Sequence, residues 1–417
     1  MAKASAAHQT PELSYPKERI RVLLLESIHS SAEAAFKAEG YHVNTLPGAL
    51  SEAHLVERLP DIHILGIRSA TKLTASALEA AGHLLVVGAF CIGTNQIDLP
   101  AASRNGTAVF NAPYSNTRSV VELAIGEIIM LMRHTFERST EMHAGTWNKT
   151  AAGSYEVRGK RLGIVGYGNI GSQLSVVAEA LGMEVWFHDV ADRLAFGNAK
   201  RASSLTQLLQ TCDVVTIHVD GRSENKGLIG KDEFAAMKSG ALFLNLSRGF
   251  VVDDVALAHA LKSGHLAGAA ADVFPQEPGA SGKPFESPLR TLPNIILTPH
   301  VASGTQEAQQ HVGQFVSSKL TNFINSGNTD LSVNLPNLNL PEQGGRHRLI
   351  HIHRNEPGVL ASINAIVSES GANVAAQYLG TAPDVGYVII DLEKDYSGEV
   401  KRRLAKLPET IRVRLLY

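Results

Sequence analysis

The sequence predicts an α/β protein: two Rossmann-like or flavodoxin-like parallel-sheet domains followed by a C-terminal ferredoxin-like domain. Three observations predict it. Two series of short β-branched runs alternate with helical stretches, a glycine-rich turn sits between strand and helix at the start of the second series, and the final segment changes rhythm to β-α-β-β-α-β. A length of 417 residues is too great for one core and implies two or three domains.

Composition narrows the class. Apolar residues make up 44% and charged residues 19%, the balance of a soluble globular protein, and a net charge of -2 provides no overall pull toward nucleic acid or membrane. Two cysteines, Cys91 and Cys212, cannot form a disulfide framework and fit a reduced, cytoplasmic setting. Residues 1–16 are polar and Ala-rich, lack the apolar core of a secretion signal, and read as a disordered lead-in.

The first series runs from Arg21 to Asn111, with strands expected at Arg21–Leu25, His42–Leu46, Ile62–Ile67, Leu84–Ala89 and Ala108–Asn111. Val120–Met132 is nearly all apolar, but Glu122 and Glu127 interrupt it and it is too short to span a bilayer, which takes roughly 20 residues. With Ser119 and Glu122 in S-x-x-E spacing at its start, it reads as a long helix buried between domains and opened by a capping box. The second series has strands near Leu162–Val165, Glu184–His188, Val214–His218, Leu242–Asn245 and Ile295–Thr298. A polar helix, Gln306–Asn325, and a loop-like stretch, Asn328–Gly345, then lead to the pair Gly344-Gly345, read as a hinge. In the last segment His347–His353, Ala375–Gly380, Gly386–Leu392 and Ile411–Leu416 read as strands, and Pro357–Ser370 and Gly398–Lys406 as helices.

A bare G-x-G-x-x-G is a weak signal, but Gly166-Tyr167-Gly168-Asn169-Ile170-Gly171 follows a strand, opens a helix, and is followed by a second strand ending in Asp189, 18 residues beyond Gly171. Gly166 and Gly168 allow a tight turn and close approach of a pyrophosphate. Gly171 allows helix-to-strand packing, and the helix N-terminus faces the phosphates. A carboxylate at Asp189 accepts ribose hydroxyls and repels a 2′-phosphate, which favours NAD over NADP.

A dinucleotide fold names a cofactor and not a reaction. The reaction is read from Ser247-Arg248-Gly249, Asp272-Val273-Phe274-Pro275-Gln276-Glu277-Pro278 and Thr298-Pro299-His300, each following an apolar run and so emerging at the edge that carries the glycine loop. Oxidising a 2-hydroxy acid needs a base for the hydroxyl proton, which suits His300; Glu277 orients the imidazole and stabilises its cation; Arg248 grips the substrate carboxylate.

With these motifs the chain resembles the D-isomer-specific 2-hydroxyacid dehydrogenase family, over essentially everything after the first dozen residues. The resemblance implies that Arg248, Glu277 and His300 form the catalytic set, that Asp272 hydrogen-bonds the nicotinamide amide, and that the chain returns after His300 to complete the N-terminal domain. The implied domains are 15–115 and 303–344 for substrate, 116–302 for NAD, and 345–417 for regulation. Phe90–Asp98, Asn111–Ser119 and Trp147-Asn148-Lys149 resemble more narrowly the bacterial-type branch acting on D-3-phosphoglycerate at the entry to serine biosynthesis. Some enzymes of that branch also reduce 2-oxoglutarate. The branch implies substrate binding by Arg68, Ser69 and Asn116, residues Trp147 and Lys149 lent to a neighbouring subunit, and a homotetramer.

The last segment resembles an ACT domain, a common amino-acid sensor, and the resemblance places His353, Asn355 and Asn373 at an L-serine site with feedback inhibition. Glu356 departs from the arginine of close relatives. The module is expected to be detachable near Gly344. His351 and His353 share a strand face, but two ligands without a third do not make a metal site. A transcriptional corepressor on the same fold is disfavoured by the ACT-like tail and the lack of a basic patch. A catalytically inert regulator is disfavoured by the intact Arg–Glu–His set.

Overall fold

The computed structural model describes residues 15–278, 282–341, 343, 346–393 and 396–417. The proposed Gly344-Gly345 hinge and nearly all of the N-terminal lead-in lie outside the described residues. The chain forms two compact units: residues up to Pro113 with Gln309–Tyr417, and Tyr114–Ala308.

The first unit opens with a five-stranded parallel sheet of β1 (Arg21–Leu24), β2 (His42–Thr45), β3 (Ile64–Ile67), β4 (Val86–Ala89) and β5 (Ala108–Phe110), in the flavodoxin-like order β2-β1-β3-β4-β5. β3, β4 and β5 are buried at every residue, as continuous apolar runs covered on both faces should be. The helix Gln306–Ser326 supplies part of that cover. Its Val312, Val316, Leu320, Phe323 and Ile324 share a core with Val22, Phe36 and Phe110. The helix lies so close that a Cβ on Gly88 would come within 2.7 Å of Val316 and 2.8 Å of Leu320, which explains a glycine inside a strand.

The second unit carries seven parallel strands: β6 (Arg161–Val165), β7 (Glu184–His188), β8 (Lys200–Arg201), β9 (Val214–Ile217), β10 (Ala241–Asn245), β11 (Leu266–Ala271) and β12 (Ile295–Leu297). Their order, β12-β11-β10-β9-β6-β7-β8, reverses between β6 and β9, the switch point at which open α/β sheets bind ligands. The long helix spans Thr117–Met132, and Val121, Ala124, Ile128 and Leu131 on it pack with Ile164, Leu244 and Ala270. The capping box expected there does not form. The helix begins three residues earlier, with Asn116 at its N-cap and no side-chain cap; Ser119 meets the Thr305 hydroxyl at 2.8 Å, and Glu122 pairs with Arg118 at 2.6 Å.

The C-terminal segment returns to the first unit as β13 (His347–Arg354), β14 (Val374–Thr381), β15 (Val385–Leu392) and β16 (Thr410–Leu416), an antiparallel sheet in the order β14-β15-β13-β16 with helices Val359–Glu369 and Ser397–Leu404. This is the ferredoxin-like arrangement, and the expected fold class holds. Both faces of the sheet are apolar. Leu349, Val388 and Ile390 pack on the helices. Ile350, Ile352, Tyr387 and Ile389 join the core containing Phe110 and Phe323. Tyr387 donates to the Gly327 carbonyl at 2.7 Å. The fully buried Arg348 holds Asp391 by two bonds of 2.7 and 2.8 Å and donates to the carbonyls of Ser326 and Pro341. The module is therefore no detachable appendage, because cutting it away would strip one face of a continuous core.

Candidate active site

The glycine loop is built by close approach. Gly166 follows β6 at φ +92, and a Cβ there would sit 2.7 Å from the His218 carbonyl. A Cβ on Gly171 would reach 2.3 Å from the Gly166 oxygen, so this glycine lets the helix Asn169–Ala180 lie against the turn. Gly168 caps that helix without a side-chain bond, and a Cβ on it would meet nothing within 4 Å. Open space therefore faces the free amides of the first turn, where Asn169 and Ile170 stand, and the cradle fits a dinucleotide pyrophosphate. Asp189 follows β7 and accepts the amides of Tyr167 and Ala191, each at 2.8 Å, which fixes its carboxylate beside the loop.

The strand ends of β10, β11 and β12 are locked together. A Cβ on Gly249 would lie 1.9 Å from the Phe274 carbonyl carbon, so only glycine lets the Arg248 turn meet the turn after β11. Glu277 closes the latter by accepting the Phe274 amide at 3.1 Å. Its other oxygen, Oε2, meets His300 Nδ1 at 2.8 Å, with the two side chains 36% and 49% exposed. The bond to Glu277 raises the His300 pKa most; burial opposes it, and the charges of Glu277 and Asp272 add to it. Burial pushes the Glu277 carboxyl up, but the His300 bond and charge, the Phe274 amide and Arg248 outweigh it, and its pKa falls. An ionised carboxylate only accepts, so Nδ1 carries the proton and Nε2 is left to take another.

His300 occupies the left-handed region at φ +54, a conformation costly for a side chain with a Cβ. Asp272, 1% exposed, holds it there. Its backbone oxygen accepts the His300 amide at 2.8 Å; Oδ1 accepts the Thr298 hydroxyl at 2.6 Å and the Val301 amide at 2.8 Å; Oδ2 accepts the Ala302 amide at 2.9 Å. Glu127, which marks the long helix as more than an apolar run, is fully buried with neither oxygen hydrogen-bonded among the described residues. Burial, then the charge of Asp272, pushes it up to about 8, so it is protonated at neutral pH.

The other expected site residues are placed separately. Arg68 and Ser69 follow β3, and this loop is organised by a residue that motif reading missed. Both oxygens of Glu26 accept its amides, from Arg68 at 3.1 Å, Ala70 at 2.9 Å and Thr71 at 2.9 Å, while Gln96 donates to the Arg68 carbonyl at 2.7 Å. Asn116 is buried, and its Oδ1 has no hydrogen-bond partner among the described residues. Cys91 is partly buried, its thiol 3.2 Å from the Gly93 oxygen. In the C-terminal domain His353 is 3% exposed, its Nδ1 is 2.8 Å from the Arg354 carbonyl oxygen, and its ring stacks on His351. Asn355 donates to the Ala382 carbonyl at 3.0 Å, and Asn373 to Glu393 at 3.1 Å. Because His353 pairs with Gly386 and His347 with Leu392, Asn355 and Asn373 stand at opposite ends of the sheet. They are about 25 Å apart at the rise of a strand, so one chain cannot bring both to one small ligand. Glu356 is ion-paired with Arg354 at 3.0 Å. Among the described residues no group of three metal-binding side chains occurs, and no helix is long and apolar enough to cross a membrane.

A doubly wound sheet with a dinucleotide loop and an Arg–Glu–His cluster on neighbouring strand ends defines a nicotinamide-dependent dehydrogenase of hydroxy acids. Residues 125–302 match the D-isomer specific 2-hydroxyacid dehydrogenase NAD binding domain, and residues 349–412 match the AHAS small subunit-like ACT domain. The D-3-phosphoglycerate dehydrogenase of Haemophilus influenzae is 49% identical over 409 residues, covering 98% of this chain and all (100%) of that one. That of Escherichia coli K12 is 48% identical, covering 97% of this chain and 100% of its own. The chain belongs to the D-isomer specific 2-hydroxyacid dehydrogenase family, among its D-3-phosphoglycerate dehydrogenases. Among solved structures, the NAD-dependent formate dehydrogenase of Staphylococcus aureus in complex with NAD is 26% identical with a TM-score of 0.62, covering 73% of this chain and 96% of that one.

Proposed function

We propose that the chain oxidises D-3-phosphoglycerate to 3-phosphohydroxypyruvate with NAD, the first step of L-serine biosynthesis, and that L-serine restrains it through the ACT domain. The observation that carries the chemistry is the His300–Glu277 pair beside Arg248, on strand ends at the same edge of the sheet as the glycine loop. Gly166–Gly171 and Asp189 would hold NAD, which would supply the acceptor for the hydride leaving C2. His300 Nε2 takes the hydroxyl proton, Glu277 holds the resulting imidazolium, and Arg248 binds the carboxylate. Asp272 fixes the His300 turn and would accept the cofactor's amide. Arg68, Ser69 and Asn116 bind the phosphorylated end, with Arg68 as its cation. The serine site needs Asn355 and His353 of one chain and Asn373 of a second, which supports pairing of two ACT domains, as a homotetramer would contain. Trp147, 77% exposed, supports the same assembly as a residue available to a neighbour. The setting we assign is the cytoplasm, in keeping with a sequence that holds only two cysteines.

The test is NADH formation with D-3-phosphoglycerate, D-glycerate and D-lactate side by side, and NADH consumption with 2-oxoglutarate. D-3-phosphoglycerate should have the highest kcat/KM. Equal efficiency on D-glycerate would refute a phosphate-selective site, and no turnover of any hydroxy acid would refute the chemistry.

A further inference from the structure

The first unit bears an open cleft of about 520 Å³ that has no part in the chemistry above. One side is contributed by Lys17, His63 and His83 around the parallel sheet, the other by Lys401, Arg412 and Arg414 of the C-terminal domain. Among the described residues no aspartate or glutamate side chain lines it; Tyr417, the last residue of the sequence, stands on its wall. The nearby Glu39 is occupied, by Lys17 at 2.6 Å and Asn325 at 3.1 Å. Arg412 and Arg414 stand two residues apart on β16, on one face of the strand. Their partners are carbonyl oxygens: Leu84 and Asn105 for Arg412, the latter at 3.1 Å, and Phe323 at 3.4 Å and Ile324 at 2.7 Å for Arg414. Neither meets a carboxylate among the described residues. Burial, then the charge of Arg414, pushes Arg412 down to about 10, and burial lowers Arg414, yet both stay charged at neutral pH. His63 is lowered by burial, then by His83 and Arg21, so its ring is neutral at that pH and serves as a hydrogen-bonding group rather than a cation.

Arg412 and Arg414 are partly buried, and two like charges held side by side are costly without a counter-charge. The end of the helix Gln306–Ser326 accounts for part of Arg414, through its terminal carbonyls. It does not account for Arg412, whose partners are two neutral carbonyls, beside a cleft without an aspartate or glutamate side chain among the described residues. We infer that this cleft is an anion site separate from the cofactor loop, taking a small dianion of the phosphate or phosphate-monoester class. Guanidinium groups bind such oxygens with charge-assisted bonds, and the volume admits a small ester. An anion there ties the parallel-sheet part of the unit to the ACT domain and adds to the stability of their packing.

The test uses the full chain with saturating NADH, so that the glycine loop is filled, at low ionic strength. Inorganic phosphate and, separately, glycerol 2-phosphate are titrated calorimetrically into wild type, Lys401→Gln and Arg412→Gln. Wild type should take up one equivalent that weakens roughly tenfold or more in either variant, as for loss of one charge-assisted contact. Lys401 is exposed, so Lys401→Gln decides the matter if Arg412→Gln loosens the fold. Phosphate bound at the substrate's place persists in Lys401→Gln and is subtracted. Tighter binding of the ester marks an ester as the natural ligand, and tighter binding of phosphate marks the free ion. Identical isotherms for wild type and Lys401→Gln, or no uptake by wild type, would overturn the inference.

Discussion

Replacing Glu277 with Gln keeps the shape of the side chain and a carbonyl to accept from His300 Nδ1, but removes the negative charge. In the protein as it stands the carboxylate bond is the largest influence raising the His300 pKa, while burial pulls the other way. Oxidation requires neutral His300, so activity is present above its pKa and is lost as pH falls through it; that acid limb lies above the ordinary histidine value of 6.5. Glu277→Gln leaves burial as the dominant influence, and the limb moves to lower pH. A hydrogen bond to a charged group contributes about 1.5–3 kcal/mol when well buried. With the side chains 36% and 49% exposed, solvent screening takes the pair to the bottom of that range. About 1.4 kcal/mol corresponds to a tenfold loss in kcat/KM, read on the alkaline plateau where both proteins are deprotonated. The assay is NADH formation across the pH range with D-3-phosphoglycerate. An acid limb that stays in place or moves upward, or an undiminished plateau, would refute the assignment of Glu277 as the partner of the base.

Arg248→Ala should lower kcat/KM by roughly 10²-fold, as for loss of a main electrostatic stabiliser, with NADH binding measured by fluorescence nearly intact. Asp189→Ala should erode the preference for NAD over NADP, since the charge that repels a 2′-phosphate is gone; equal wild-type use of both cofactors would contradict this. Arg68→Ala should depress kcat/KM for D-3-phosphoglycerate far more than for D-glycerate, and an equal loss on both would mark a merely structural arginine. Asn355→Ala and Asn373→Ala should each raise the serine concentration for half-inhibition, whereas a chain ending before Arg346 should lose folded protein along with inhibition, as read by circular dichroism.

Much of the active-site chemistry was legible because it depends on local rules. A glycine that must lie under a carbonyl, a carboxylate at the end of the next strand, and polar residues after apolar runs are all fixed by backbone sterics and the parallel sheet's habit of collecting ligands at one edge. Strand β11 was seen only as an apolar run because Leu-Ala-Gly-Ala-Ala-Ala carries little β-propensity; it is a strand because β10 and β12 pair with it on both sides. The two-residue β8 is too short for any periodicity to reveal. The Ser119–Glu122 spacing misled for the opposite reason, since a local pattern lost to the partners Thr305 and Arg118.

What the sequence by itself determined is the fold class, the cofactor loop and the identity of the Arg248, Glu277 and His300 set, all consequences of short-range spacing. Only the tertiary structure decided which residues hold that set in place and how the last domain is joined. Glu26 and Arg68 are 42 residues apart, and Asp272 and Ala302 are 30 apart, so no local pattern announces their bonds. The second apolar face of the C-terminal sheet reads in sequence like an ordinary core-facing alternation. Whether such a face turns inward on its own domain or onto another is settled by which surfaces remain uncovered when the whole chain has packed.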